Sequence, residues 1–254
     1  MRIFSWNING FRASWKKGLS DFLASGQADV INLQEIKARP EQLNADQLAA
    51  HGYHVVWHPA QKPGYSGTAT LSKVAPDEVV LGLGDERFDS EGRVITTRHG
   101  DLTVVGAYFP HGQRDFARMP YKVDFFHAML AYGSRLRAEG RHVVICGDWN
   151  VAHTEQDIKN AKANRTTSGF TPADCALLDE FVAGGWIDTF RRRYPDVRDV
   201  YSWWSNRPGV RDRNIGWRID YHFVNPEAWP RVKEARIHMD VQGADHCPVE
   251  VEIE

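Results

Sequence analysis

The chain has 254 residues, with 31 Lys and Arg against 33 Asp and Glu, giving a formal charge of −2. That length favours one large domain whose core needs no disulfide or structural metal, and the charge balance argues against a general polyanion binder while leaving a local basic patch open. Three cysteines, Cys146, Cys175 and Cys247, cannot form a paired extracellular framework, and none has zinc-ligand spacing, so a reducing, cytoplasmic setting is expected.

Nine Trp and an aromatic share of 11% make disorder improbable. The N-terminal MRIFSWNINGF is too polar for a signal peptide, and no apolar run reaches the roughly 20 residues that span a bilayer. No internal repeat is visible. The polar, basic stretch from Gln156 to Ser168 is the most linker-like, but it is too short to separate domains.

In chain order, Arg2 to Trp6 reads as a strand. Trp15, Leu19, Phe22 and Leu23 then share a helical face that Gly26 ends. Ala28 to Leu33 suits a buried strand, followed by strand candidates at Tyr53 to Trp57, Gly67 to Ser72 and Leu102 to Tyr108. Phe125, Met129, Tyr132 and Leu136 predict a helix over about Pro120 to Arg137, before a strand at His142 to Cys146. Thr171, Pro172 and Asp174 supply an N-cap, an N1 proline and an acidic N3 residue for a helix that Gly184-Gly185 stops. The last third reads as strands at Tyr201 to Trp204, Arg218 to Val224, Val232 to Met239 and Val249 to Ile253. The mixture predicts a layered α/β fold.

Polar residues stand at the ends of these apolar runs: Asn7, Gln34, Glu35, Tyr108, Asp148 and Asn150, with Asp220 inside WRIDY and Asp245-His246 before the last strand. One such carboxylate is usually a cap or turn, but the repetition points to a site, because buried carboxylates need partners or a metal. Glu35, Asp148, Asp245 and Asn7 offer hard oxygen ligands without sulfur, a set suited to Mg²⁺ or Mn²⁺. With a His, a Tyr and an Asn nearby, the set fits phosphoryl transfer to water.

SWNINGFRA, LQEIKA, GYSG, YFPHG, GDWN, SGFTP, NIGWRIDY and ADHCPV follow one another along the chain. In these motifs the sequence resembles the exonuclease III family of apurinic/apyrimidinic endonucleases, within the endonuclease/exonuclease/phosphatase superfamily. The resemblance implies a four-layer α/β sandwich, two packed mixed β-sheets flanked by helices. It implies a metal-dependent nuclease that cleaves 5′ to abasic sites in duplex DNA and also trims and cleans 3′ ends. Glu35 would be the principal Mg²⁺ ligand, with Asn7 beside it and Asp245 near. Asp148 and Asn150 would orient the attacking water and could also meet a metal. His246 would contact the phosphate, oriented by Asp220, and Tyr108 would touch the phosphate or the leaving oxygen.

By the same resemblance Trp203, Trp217 and Ile219 would line a pocket for the base-free sugar, while Trp204 is expected in the core. Arg12, Lys37, Gly64, Tyr65, Ser66, Arg114 and Asn164 would contact phosphates without reading sequence. Lys16, Lys17, Lys62 and Arg118 are expected to be ordinary solvated charges. Thr167, Ala244 and His111 depart from the family's usual Asn, Ser and Asn, which bears on substrate preference. The start directly at a strand fits a compact bacterial or archaeal monomer. The competing readings are a superfamily phosphatase acting on inositol phosphates or nucleotides, and an inactive DNA-binding protein. Residues 191 to 218 hold eight Arg and three Asp, a local +5, so the total conceals a basic region.

Overall fold

A computed structural model describes residues 1–254. The strands are β1 (Arg2–Asn7), β2 (Val30–Gln34), β3 (His54–His58), β4 (Thr68–Ser72), β5 (Glu78–Leu81), β6 (Val94–His99) and β7 (Leu102–Tyr108). They continue with β8 (His142–Asp148), β9 (Ile187–Asp188), β10 (Trp203–Trp204), β11 (Gly216–Trp217), β12 (Asp220–Val224), β13 (Val232–Ile237) and β14 (Val249–Ile253). The first sheet runs β13-β14-β1-β2-β4-β3 and the second β5-β6-β7-β8-β12-β9, with β10-β11 a separate ribbon. Each large sheet has one parallel pair, β1 with β2 and β7 with β8.

Alternation along the strands builds the layers. Ile3, Val30, Val104, Val144, Cys146, Val224 and Val251 point into the seam between the sheets and pack together. Their neighbours Phe4, Trp6, Ile31 and Leu33 face the other way, onto Phe11, Leu19, Phe22 and Leu23. On the second sheet Val105, Ala107, Val143, Ile145, Tyr221 and Phe223 face outward onto Phe125, Phe126 and Met129 of the helix Met119–Ala138 and Leu177, Leu178 and Phe181 of the helix Pro172–Ala183. The result is the expected four-layer α/β sandwich.

Four departures from the sequence reading have local causes. The first helix breaks into Phe11–Ser14, a π turn over Trp15–Leu19, and Ser20–Ala24. Gly18 sits there at φ +132°, where a Cβ would come 3.0 Å from the Gln242 carbonyl oxygen. The expected strand at Arg218 begins only at Asp220. Arg218 donates its backbone N–H to the Asp157 carbonyl, and the Ser202 hydroxyl takes the N–H groups of Ile219 and Asp220. Tyr201 and Ser202 are likewise outside β10. The stretch from Gln156 to Ser168 is built in rather than linking, with a 3₁₀ turn at Glu155–Asp157, a short helix Ala161–Asn164, and Asp157 only 1% exposed.

Candidate active site

The same alternation that fills the seam also aims polar residues into one end of it. Counting in twos from Ile3 reaches Asn7, from Val104 reaches Tyr108, from Val144 reaches Asp148, and from Val224 back reaches Asp220. Register then aligns them: Tyr108 pairs with Asp148 and Asp148 with Asp220, so the three stand in one row across the second sheet. Gly147 allows the row to close, because a Cβ there would lie 1.8 Å from the Ala107 carbonyl oxygen. On the other sheet Asn7 pairs with Gln34, and Glu35 follows at φ +54°, turning its carboxylate toward the row.

Hydrogen bonds join the two halves. Asn7 donates through Nδ2 to Glu35 at 2.9 Å and to Asp148 at 2.9 Å. Tyr108 donates its hydroxyl to the same Glu35 oxygen at 2.9 Å. The other Glu35 oxygen meets the Lys37 ammonium at 2.6 Å. His246 Nδ1 lies 2.8 Å from Asp220, and its Nε2 lies 3.8 Å from Asp148. Asn150 donates its backbone N–H to Asp148 at 2.8 Å, and its side-chain amide to the Phe109 carbonyl at 2.9 Å and Asp148 at 3.3 Å.

These contacts set protonation. Burial alone would pull His246 down, but the Asp220 and Asp148 carboxylates raise it to about 10, so it is an imidazolium at neutral pH. Asp148 is raised, first by burial and then by the nearby Asp220 charge, with His246 opposing. Burial opposes ionisation of Glu35, yet Lys37, Asn7 and Tyr108 hold it below its ordinary value. Tyr108 is raised by burial and by Glu35. The site therefore holds a fixed carboxylate, a fixed cation, and between them a carboxylate with a strong appetite for a proton.

Asp148, Asp220 and His246 bring their ligand atoms within 4.8 Å of one another, a cluster able to hold a metal ion. The donors are oxygen and nitrogen with no sulfur, and Asp220 Oδ1 is buried without a hydrogen-bond partner. Excess buried carboxylate of this kind fits a hard divalent cation. Asp245 lines the same cavity, and its oxygens accept from Asn9 at 3.1 Å and from the Trp203 indole at 3.2 Å.

Beside this cluster opens a cavity of about 1140 Å³. Glu35, Asp148 and His246 form one end and Trp203, Trp217 and Ile219 a wall. The two indole rings meet edge to face, with centroids 5.9 Å apart at 89°. Trp204 is 2% exposed and belongs to the core, as alternation predicts.

Comparison with known proteins now bears on the arrangement. The model of the Endonuclease/Exonuclease/phosphatase family matches residues 4–246. The chain belongs to that family. An exodeoxyribonuclease of Bacillus subtilis is 44% identical over 99% of this chain and 98% of its own length. The DNA repair nuclease APEX1 of Danio rerio is 38% identical over 98% of this chain and 81% of its own. The AP endonuclease LMAP from Leishmania major superposes with a TM-score of 0.88 at 30% identity, covering all of this chain and 87% of that one.

Against this family background, the remaining expected residues fall into two groups. Arg114 and Asn164 line the cavity, although the Asn164 amide already donates to the Lys159 and Asn160 carbonyls. Arg12, Lys37, Gly64, Tyr65 and Ser66 lie outside it. Lys37 is engaged with Glu35 and Asn9, and Ser66 is 1% exposed. Tyr65 is held by its hydroxyl, which donates to Glu91 and accepts from Arg93 and Arg118. Arg118 is thus no solvated charge: it pairs with Glu91 at 2.8 Å and stacks 4.2 Å from the Tyr121 ring.

Sequence reasoning passed over three buried cations. Arg93 donates to the Tyr108 carbonyl and lies 4.7 Å from that ring. Arg218 pairs with Asp157 and Asp188, each at 2.8 Å, between the two pocket residues Trp217 and Ile219. Lys122 pairs with Asp174 at 2.6 Å. A buried Arg or Lys carries no local sequence signal, since only its distant partner distinguishes it from a surface charge.

Proposed function

We propose that the protein is a DNA-repair nuclease that hydrolyses the phosphodiester 5′ to abasic sites in duplex DNA, with 3′-5′ exonuclease and 3′-end-cleaning activity at the same site. The supporting observation is the aligned row Tyr108–Asp148–Asp220, with Glu35 across the seam and His246 beside it, at the end of a tryptophan-walled cavity. Residues 1–254 act as one catalytic unit in this reading.

Glu35, Asp148 and Asp245 would hold a divalent cation, with Mg²⁺ the best match and Mn²⁺ acceptable, whereas His246, held as an imidazolium, has no lone pair to offer it. Asn7 fixes the separation of Glu35 and Asp148, and its Oδ1 is the atom it would offer a cation. The bound ion supplies charge neutralisation for the phosphate. The chain's own groups do the rest. Asp148, desolvated and beside the Asp220 charge, takes the proton of the attacking water, which Asn150 orients. The His246 imidazolium donates to a phosphate oxygen, where negative charge grows as the P–O3′ bond breaks. Asp220 keeps that ring in place. The Tyr108 hydroxyl stands where it can donate to phosphate or leaving oxygen. Products are a 3′-hydroxyl and a 5′-deoxyribose phosphate.

Trp203, Trp217 and Ile219 would wall the base-free sugar, with Arg12, Lys37, Gly64, Tyr65, Ser66, Arg114 and Asn164 along the backbone. The test is incision of a duplex bearing one abasic analogue, compared with 3′-exonuclease and 3′-phosphatase substrates and with inositol phosphates, in Mg²⁺, Mn²⁺ and EDTA. Abasic incision that EDTA abolishes is expected. Turnover of inositol phosphates without DNA incision would overturn the reading.

A further inference from the structure

Lys122 and Asp174 form an ion pair with both side chains completely excluded from solvent, 2.6 Å apart. Lys122 lies on the helix Met119–Ala138 and Asp174 in the first turn of the helix Pro172–Ala183. The pair is stitched into backbone at both ends. Lys122 Nζ donates to the Asn150 carbonyl at 3.0 Å. Asp174 accepts the Gly169 N–H at 2.9 Å, and the Thr171 N–H and hydroxyl at 3.2 and 2.6 Å. Asn150 is in the left-handed region at φ +54°, which Asn adopts readily, and the Lys122 bond fixes the direction of its carbonyl. Gly169 packs close by, its missing Cβ 3.0 Å from the Asn150 carbonyl oxygen and 3.3 Å from the Trp217 ring.

A buried ion pair is poor value for stability, because desolvation offsets most of the attraction and apolar residues of similar volume often serve as well. What this pair supplies is position. One end fixes the segment that carries Asp148 and Asn150, and the other fixes the Gly169 wall of the cavity. We propose that Lys122 and Asp174 are positioning residues for the hydrolysis. They set the placement of Asn150 against the Trp217 wall and thereby govern the chemical step without contributing to DNA affinity. The inference rests on the nuclease reading above.

The test compares the wild type with Lys122→Met/Asp174→Leu and with Asp174→Asn in steady-state abasic incision, duplex binding and thermal unfolding. The double variant removes both charges together and leaves neither stranded. It is expected to fold, to bind duplex within about 3-fold of wild type, and to lose about 10-fold or more in kcat with KM little changed. Asp174→Asn keeps an acceptor for Gly169 but strands the Lys122 charge, so it should be the less stable variant and show at least as large a loss of the same kcat-selective kind in its folded fraction. Wild-type kcat in the folded double variant would overturn the proposal, as would a loss no larger than its unfolded fraction. If the double variant does not fold, Asp174→Asn decides alone, and an unchanged kcat refutes. A wild-type protein that fails to incise removes the nuclease reading instead.

Discussion

Asp220→Asn isolates one charge at the centre of the site. The Asp220 carboxylate is 2.8 Å from His246 Nδ1, both groups are buried, and the second carboxylate, Asp148, is farther, at 3.8 Å from Nε2. Together they raise His246 to about 10 from an ordinary 6.5, against the pull of burial. At about 1.4 kcal/mol per pH unit, that lift is worth about 5 kcal/mol. Asp220 is the nearer of the two carboxylates, and losing the cationic donor it sustains should cost about 3 kcal/mol, the usual cost of losing one donor to a developing oxyanion. Asparagine keeps the shape and removes the charge, so kcat should fall roughly 100-fold with KM within about 3-fold. The sign of the pH dependence is fixed too. Wild-type His246 stays protonated until pH rises through about 10, whereas in the variant its deprotonation moves down toward neutrality. Incision rates measured from pH 6 to 10 would therefore fall at lower pH in the variant. An unchanged alkaline limb would refute the role of Asp220 as the charge that keeps His246 cationic.

Glu35→Ala removes the carboxylate that Asn7, Tyr108 and Lys37 converge on, and should raise the Mg²⁺ needed for half-maximal incision at least about 10-fold; full activity at low Mg²⁺ would exclude it as a ligand. Trp217→Ala removes one face of the cavity wall and its edge contact with Trp203, so KM for abasic duplex should rise about 10-fold, while an unchanged KM would place the sugar elsewhere. Glu250, on β14, is held down to about 2 from an ordinary 4.5, because hydrogen bonds from His238 and Arg2 outweigh its burial. Its folded pKa is depressed, so the stability it confers, about 3 kcal/mol, is present above pH 4.5 and lost as pH falls through about 2. Glu250→Gln should therefore be destabilised in urea at pH 7 and nearly equal to wild type at pH 2; the same gap at both values would contradict the assignment.

Strands with apolar residues on both faces, or alternating cleanly with polar ones, were legible from sequence, and β14, reading VEVEI, matches its expected bounds residue for residue. β7, whose Val104 and Val105 serve opposite layers, matches as well. β5 was missed because all four of its residues are exposed at a sheet edge, so EVVL shows no alternation. β6 was missed although VITTRH is β-branched, since its polar end resembles a turn before Gly100. Within the site, the strand-end carboxylates could be found because an apolar run points at them. Arg93, Lys122 and Arg218 could not, because each owes its meaning to an acid or carbonyl contributed by another segment of the chain.

The seam between the sheets has one more consequence. Asn7 and Glu35 come from one half of the sandwich, and Tyr108, Asp148 and Asp220 from the other. Neither half contains a working set, and a displacement of about 1 Å between them suffices to cost about 100-fold in rate. Competence to cut is thus a report on docking, not on secondary structure. A chain with its strands formed but its halves apart lacks the assembled set and does not cut. For an enzyme whose product is a broken strand, that makes folding itself the safety catch.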